Sequence, residues 1–295
     1  MKHILSLVFA WSASSLFSQV IVPFTLESNC IYISCKVNET DSVRFLFDTG
    51  ANSSVINTDS SKKLSLKIDG QSVNEGSNGI NEVKTSSNNQ LSFGGIVKNE
   101  VPLSLIPFGT NDFDGVFGTN LMNQHLIEID YDKRILKFYE PSAFKMDLSA
   151  YEKLKIHFVD DSYPAITCSI VVNGKKYTGL FGLDSGANDA LTIASPYENK
   201  HQLKKQTKQV AAATFRGSDG SVYEMPIVLA PELQIGKKSF YVIPMNLSSA
   251  SEGIDATEKM AGFFGNNFLK RFNILLDLPN GCIYLKPNEL LYSPF

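Results

Sequence analysis

The chain has 295 residues, of which 43% are hydrophobic and 19% are charged. It can therefore build a sizeable core, either as one large domain or as two domains of about 140 residues. The formal net charge is -3 and the Lys and Arg residues are scattered along the sequence, so a nucleic-acid-binding surface is excluded.

The N-terminal residues 1–19 have the pattern of a secretory signal peptide. A short basic start precedes an apolar stretch from 4 to 17, and small or polar residues follow. We predict cleavage near Ser18 or Gln19 and export of the mature protein by secretion or into a periplasm. The alternative is an uncleaved anchor helix, which needs about 20 apolar residues. No later segment qualifies as a membrane span, so none is expected after cleavage.

Extended segments dominate the rest of the sequence. Runs of β-branched and aromatic residues alternate with Asn, Gly, Ser and Asp clusters, a pattern typical of strands joined by turns. Strands are predicted at 43–47, 166–172 and 241–244. Helical periodicity is confined to 120–126 and 267–272, and possible turns lie near 60–66 and 196–203. We therefore predict an all-β protein.

One tetrapeptide occurs twice, each time at the end of an apolar run. The copies are Asp48-Thr49-Gly50-Ala51 and Asp184-Ser185-Gly186-Ala187. Four further features follow each copy in the same order: a Gly- or Asn-rich reversal, a Leu-x-apolar-Gly segment, a Gly-apolar-apolar-Gly step and a closing hairpin. This ordered self-similarity indicates a duplication. It places an N-terminal half at 20–145 and a C-terminal half at 146–295.

These motifs together resemble the retropepsin and pepsin superfamily of aspartic proteases. The chain is most similar to tandem retropepsin-like aspartyl proteases of the bacterial exported type, over nearly all of the sequence after the signal-like segment. The resemblance implies a bilobal fold of two pseudo-symmetric, β-barrel-like lobes. It also implies an active-site cleft between the lobes and flap hairpins over that cleft.

Two carboxylates would carry the expected chemistry. A peptide bond resists neutral water, so a base must take a proton from the water while an acid protonates the carbonyl oxygen or the leaving nitrogen. Two carboxylates about 3 Å apart cannot both ionise, so one stays protonated and the pair supplies both roles. We assign the catalytic pair to Asp48 and Asp184, and the sequence leaves open which of them holds the proton.

The residues around each Asp are expected to support its loop. Gly50 and Gly186 lack a Cβ, so the backbone can turn tightly and direct an N–H toward the carboxylate. The resemblance implies reciprocal hydrogen bonds between Thr49 and Ser185 across the pseudo-two-fold axis. It also implies that a glycine of the Gly-apolar-apolar-Gly step lies beneath each loop, namely Gly118 and Gly265.

Two reversals, at 76–79 and 217–220, are interpreted as a pair of flaps of the retropepsin type. A pepsin-type flap carries a Tyr near its tip, which 72–79 lacks, whereas aromatic residues flank the second reversal. The residues expected to contact substrate are Gly76, Asn78, Gly79, Phe215, Gly217 and Tyr223. The alternative is that these are two ordinary exposed hairpins.

Neither a metal nor a cofactor is expected. The spacing of Cys30, Cys35, Cys168 and Cys282 fits no zinc pattern, and the four His residues form no ligand cluster. Buried free thiols are the favoured interpretation, although an oxidising compartment would permit disulfide bridges.

The favoured function is an endopeptidase that binds an extended peptide as an added strand between the flaps and the cleft floor. A monomer suffices, because one chain supplies both aspartates. Two alternatives stay open: a non-catalytic peptide-binding module on the same fold, and a structural β-protein or a hydrolase that is not a protease.

Ala51 and Ala187 lead to a prediction about pH. Many acid-acting members of the superfamily that the chain resembles have Ser or Thr here, and that hydroxyl can favour the charged carboxylate, which alanine cannot do. We predict a pH–rate maximum in the mildly acidic to neutral range with a peptide substrate. A maximum at about pH 2 to 3 would contradict this prediction.

Overall fold

The computed structural model describes residues 19–295. Residues 1–18, which hold all but the last residue of the predicted signal peptide, lie outside the described residues. Within 19–295 the chain forms twenty-one strands and three short α-helices. The predicted all-β class is therefore confirmed.

The first half contributes ten strands. They are β1 (Gln19–Glu27), β2 (Cys30–Val37), β3 (Val43–Phe47), β4 (Val55–Asn57), β5 (Gly70–Glu75), β6 (Ile80–Phe93), β7 (Ile96–Ile106), β8 (Gly115–Phe117), β9 (Leu126–Asp130) and β10 (Ile135–Tyr139). The chain then crosses to the second half between β10 and residue 152. The boundary expected at 145/146 lies in this connection.

The second half contributes eleven strands and the three helices. The strands are β11 (Glu152–Lys155), β12 (His157–Val159), β13 (Tyr163–Val172), β14 (Lys175–Asp184), β15 (Leu191–Ile193), β16 (Gln209–Arg216), β17 (Val222–Ile235), β18 (Lys238–Leu247), β19 (Gly262–Gly265), β20 (Phe272–Asp277) and β21 (Cys282–Pro287). The helices are α1 (Ser195–His201), α2 (Leu203–Gln206) and α3 (Asn266–Leu269).

The helical periodicity at 120–126 does not produce an α-helix. That stretch overlaps only the 3₁₀ turn Thr119–Leu121, and the possible turn near 60–66 overlaps the 3₁₀ turn Thr58–Lys63. Leu126 already begins β9, whose residues pair with β10 and β20. Cross-strand pairing thus overrides the weak local preference for helix.

The two halves share one strand order. In the first half the hydrogen-bonded order is β2-β3-β8-β4-β7-β6-β5, and β2 also pairs with β6. In the second half it is β13-β14-β19-β15-β18-β17-β16, and β13 also pairs with β17. The parallel pair β3–β8 has its counterpart in the parallel pair β14–β19. Each strand in one series therefore has an equivalent at the same place in the other.

Six strands from both halves form a shared sheet in the order β1-β10-β9-β20-β21-β11. Its centre is the antiparallel pair β9–β20, in which Ile129 lies opposite Ile274 and Ile127 opposite Leu276. All four side chains are buried. On the two sides of this pair, β10 corresponds to β21 and β1 corresponds to β11. The sheet therefore joins the two halves at the β9–β20 pair.

The strands that lead to the two Asp loops are apolar and buried at the ends next to those loops. Phe45, Leu46 and Phe47 are buried in β3, and Phe181 and Leu183 are buried on either side of Gly182 in β14. Such apolar runs occur where a strand is covered by protein on both faces. The hairpin strands β5 and β16, in contrast, are exposed at most positions. The Asp loops are thus held by the core, and the hairpins project from it.

Asn266, at the start of α3, connects the two halves through its fully buried side chain. Its Nδ2 donates to the Asn29 carbonyl at 2.5 Å, and its Oδ1 accepts from the Tyr131 hydroxyl at 2.5 Å. Both partners belong to the first half, so one amide fastens a second-half helix to two first-half segments.

We predict that Asn266→Ala lowers the free energy of unfolding by about 2 to 4 kcal/mol, because two hydrogen bonds at a buried position are lost. Urea denaturation measures the change. Asn123→Ala is the matched control, since the Asn123 side chain is exposed, and its effect should stay within about 0.5 kcal/mol. Equal stability of Asn266→Ala and wild type would contradict the prediction.

Candidate active site

The two predicted catalytic aspartates lie side by side, one from each half. The backbone N–H of Asp48 donates to the Phe117 carbonyl in β8 at 3.0 Å, and Asp184 pairs in register with Gly265 of β19. The two carboxyl groups lie next to each other, and each approaches the loop glycine of the opposite half. Both residues are partly exposed.

Each carboxyl group is also held by its own loop. Asp48 Oδ1 accepts from the backbone N–H of Gly50 at 2.7 Å and of Ala51 at 3.2 Å. Asp184 Oδ1 accepts in the same way from residues 186 and 187, both at 3.0 Å. The second oxygen of each group is left free of these backbone bonds.

The loop glycines allow the two carboxyl groups to approach. A Cβ added to Gly50 would lie 2.7 Å from Asp184 Cγ, and one added to Gly186 would lie 2.4 Å from Asp48 Cγ. Each glycine thus faces the carboxyl group of the opposite half. Any larger residue would push the pair apart.

Thr49 and Ser185 join the two loops through four hydrogen bonds. The Thr49 hydroxyl donates to the Leu183 carbonyl at 2.7 Å and accepts from the Ser185 N–H at 3.0 Å. The Ser185 hydroxyl donates to the Phe47 carbonyl at 2.8 Å and accepts from the Thr49 N–H at 3.0 Å. Both side chains are buried. The lattice implied by the resemblance is therefore present in the geometry.

Gly118 and Gly265 lie directly beneath the loops. A Cβ on Gly118 would come within 2.4 Å of the Ser53 carbonyl oxygen, and one on Gly265 within 2.2 Å of Asp189 Oδ1. Unlike Ser53, Asp189 has a carboxyl group in its side chain. Its Oδ2 accepts a hydrogen bond from Asn246 Nδ2 at 2.6 Å. Burial raises the pKa of Asp189.

The pKa values of Asp48 and Asp184 are both raised by their surroundings. Burial raises the pKa of both carboxyl groups, and at Asp184 the charge of Asp48 raises it further, to well above its ordinary value. The N–H donors of the loops oppose this effect. The pair therefore keeps a proton at pH values where an exposed Asp is ionised.

The tips of the two predicted flaps contact each other. Gly76 and Gly79 close the first tip with a hydrogen bond of 2.9 Å, and the Asn78 N–H donates to Asp219 Oδ2 in the second tip at 3.0 Å. A Cβ on Gly76 or on Gly217 would collide with the same Asp219 carboxyl group. The glycines at both tips thus make room for this contact.

The connection between β18 and β19, residues 248–261, holds the first tip as well. The N–H of Ile254 donates to the Gly76 carbonyl at 2.9 Å, and that of Asp255 to the Ser77 carbonyl at 3.0 Å. Asp255 also accepts from the Tyr223 hydroxyl of the second flap at 3.2 Å. Burial raises the pKa of Asp255 to about 7.

The second flap reaches the opposite half in turn. Phe215 and Tyr223 are cross-strand partners with stacked rings 6.2 Å apart. Arg216 next to them lies against Gly109, where a Cβ would be 3.2 Å from Arg216 Nη1. Gly109 belongs to the first-half connection between β7 and β8. Each flap therefore contacts the other half's connection.

Three polar residues near the site carry little sequence signal. Asp219 lies in a reversal where Asp is an ordinary turn residue. Asp255 lies in a connection that is longer than its first-half equivalent. Tyr163, whose hydroxyl is 3.5 Å from Asp184 Oδ2, has no Tyr counterpart in the first half.

Some further properties of residues 19–295 bear on the site. No group of His, Cys, Asp or Glu in this range is arranged to hold a metal ion. None of its helices is long and apolar enough to cross a membrane. The cysteines are free thiols, of which Cys282 alone is partly exposed.

The all-β fold of residues 19–295 is consistent with that of aspartyl proteases. Residues 33–121, from β2 to the turn after β8, match the family model described as aspartyl protease. The matched segment contains Asp48 and Gly118. The predicted similarity to retropepsin-like aspartyl proteases is therefore confirmed over these residues. No curated protein matches the chain.

We predict that Asp184→Asn stabilises the protein increasingly as pH rises. The pKa of Asp184 is higher in the folded chain, so its contribution to stability is lost as pH rises from the unfolded value of about 4 toward the folded value. Asn cannot ionise and avoids this loss, which is about 1.4 kcal/mol for each unit of pKa elevation. Denaturation at a series of pH values measures it.

The control for that series is Asp41→Asn, because Asp41 is exposed and precedes β3 at the end opposite Asp48. Its stability relative to wild type should not vary with pH in this way. A difference between Asp184→Asn and wild type that stays constant from acid to neutral pH would contradict the assigned pKa direction.

Proposed function

We propose that the protein is an aspartic endopeptidase in which Asp48 and Asp184 form the catalytic pair. The observation that carries this proposal is the close approach of two carboxyl groups, each at the buried end of a strand and each from a different half. The similarity of residues 33–121 to aspartyl proteases supports a protease-type function independently. The Thr49–Ser185 lattice supports a rigid geometry for the pair.

In the proposed mechanism the pair divides the roles of base and acid. The ionised carboxylate takes a proton from a water molecule, which attacks the peptide carbonyl carbon. The protonated carboxyl group donates to the carbonyl oxygen as it becomes tetrahedral. Transfer of a proton to the leaving nitrogen then breaks the C–N bond and restores the pair with one proton.

An extended peptide is the proposed substrate. It would lie between the flap tips and the Asp loops as an added strand, bound mainly through its backbone. Apolar clusters adjoin both loops: Phe108 and Phe113 pack in the cluster beside Ala51, and Met260 packs beside Tyr163. These clusters favour apolar side chains next to the scissile bond.

The proposed enzyme acts as an exported monomer. Both carboxyl groups belong to one chain, so a second copy is not needed to complete the pair. Export rests on the signal-like pattern of residues 1–19. We propose that the N-terminal lobe supplies Asp48 and the C-terminal lobe supplies Asp184.

We predict that wild type cleaves casein or a peptide library in a pepstatin-sensitive manner. Asp48→Asn and Asp184→Asn should each lower kcat/KM by at least about 1,000-fold, because either change removes the shared proton chemistry. Asp41→Asn should retain full activity. Circular dichroism confirms that each variant is folded.

The outcomes separate the candidate functions. Retained cleavage by either Asn variant would refute the shared-pair mechanism. A folded wild type that binds peptides or pepstatin without cleaving them would instead support a peptide-binding module. If the wild type neither binds nor cleaves peptides, the remaining candidate functions are a structural role and a hydrolase that is not a protease.

A further inference from the structure

The neighbours of the two aspartates differ across the pseudo-two-fold axis. Ala165 of β13 pairs with Gly182 of β14, which brings Tyr163, two residues away, opposite Asp184. In the first half Tyr32 pairs with Leu46, which brings Cys30 opposite Asp48. Tyr163 and Cys30 therefore hold equivalent positions, one with a long phenolic side chain and one with a short thiol.

The adjacent strand compensates for this difference in size. A Cβ on Gly182 would lie 2.3 Å from Tyr163 Cε1, so the ring occupies the space of a missing side chain. The equivalent position in the first half is Leu46, which is buried beside Cys30. Gly inside a strand is destabilising and marks a close approach. The second half thus has a large residue, Tyr163, beside a small one, Gly182. The first half has the reverse, with the small Cys30 beside the large Leu46.

The space at Gly182 directs the Tyr163 hydroxyl to the catalytic pair. The hydroxyl donates to Asp184 Oδ2 at 3.5 Å, the oxygen that the loop N–H groups leave free. Among the contacts of residues 19–295, Asp48 receives no equivalent hydroxyl, and Cys30 Sγ donates to the Gly186 carbonyl instead. Only one of the two carboxyl groups has this additional donor.

We propose that Tyr163 is a positioning residue that acts on one member of the catalytic pair by donating a hydrogen bond to Asp184. This inference rests on the proposed function. A donor to the carboxylate favours its ionised form, so Tyr163 limits the rise in the pKa of Asp184 that burial causes. It replaces on one side the hydroxyl that Ala51 and Ala187 lack.

Tyr163 can act as a donor throughout the working range of pH. Burial, and then the charges of Asp184 and Asp48, raise the pKa of Tyr163 well above its ordinary value, so it stays protonated. The other ionisable groups around the pair are Asp189, Asp255 and Cys30. Their pKa values are all raised by burial first, so each of them resists carrying a charge beside the pair.

The first test compares pH–rate profiles of wild type and Tyr163→Phe. We expect the basic limb of kcat to move to higher pH by about 0.5 to 1 unit, because a hydrogen bond as long as 3.5 Å should contribute no more than one of ordinary net strength. Tyr177→Phe is the matched control, because Tyr177 is a buried tyrosine whose hydroxyl bonds to Gln206. Its profile should equal that of wild type. An unshifted profile for Tyr163→Phe would overturn the proposal while leaving the proposed function intact.

A second, double variant removes the Tyr163 hydroxyl and fills the space of the Tyr163 ring with a side chain at position 182. Tyr163→Cys combined with Gly182→Leu transplants the first-half pair and should shift the basic limb in the same direction. Gly182→Leu alone should be less stable than the double variant, because leucine collides with the Tyr163 ring. Equal stability of the two would contradict the exchange of volume between Tyr163 and Gly182.

A readout without catalysis keeps the two proposals distinguishable. Because the folded pKa of Asp184 exceeds the unfolded value, stability falls as pH rises through the interval between them. Tyr163→Phe should extend that fall to higher pH, whereas Tyr177→Phe should differ from wild type by a constant amount. If wild type cleaves no peptide, the proposed function fails, and this comparison still decides whether Tyr163 acts on Asp184.

Discussion

Contact between two like carboxyl groups costs free energy unless they share a proton, and the surrounding structure has to hold them together against that cost. The buried, apolar ends of β3 and β14 bring Asp48 and Asp184 to the junction of the halves. The lattice of Thr49 and Ser185 then connects the loops. The shared sheet around β9 and β20 prevents the halves from separating. The strand ends, the lattice and the shared sheet thus each help to hold the two carboxyl groups together.

Much of this arrangement could be predicted from the sequence, because it is encoded locally. Asp48-Thr49-Gly50 and Asp184-Ser185-Gly186 are contiguous, and a carboxylate that accepts from its own loop needs only those residues. Gly118 and Gly265 could be predicted because each ends a recognisable apolar step. The strand class followed from alternating turn clusters, which mark strand ends reliably.

Other features could not be predicted, because they depend on register between distant strands. Tyr163 and Cys30 are equivalent only in the pairing of β13 with β14 and of β2 with β3. Different turn lengths in the two hairpins give Tyr163 and Cys30 different sequence separations from their Asp. The helical stretch at 120–126 failed for a related reason, since Leu126 is committed to pairing in β9. Long-range pairing thus decides what local periodicity leaves ambiguous.

The tips of the two flap hairpins are tied to each other and to the second-half connection. The bonds are hydrogen bonds donated by Asn78, Ile254 and Asp255. If the proposed substrate lies beneath these tips, an internal segment of a protein cannot reach its place without breaking those bonds. A chain end could be threaded under the tips, but a loop needs the hairpins to separate first. Turnover of folded proteins would then be limited by the frequency of opening, and unfolded chains would have the advantage.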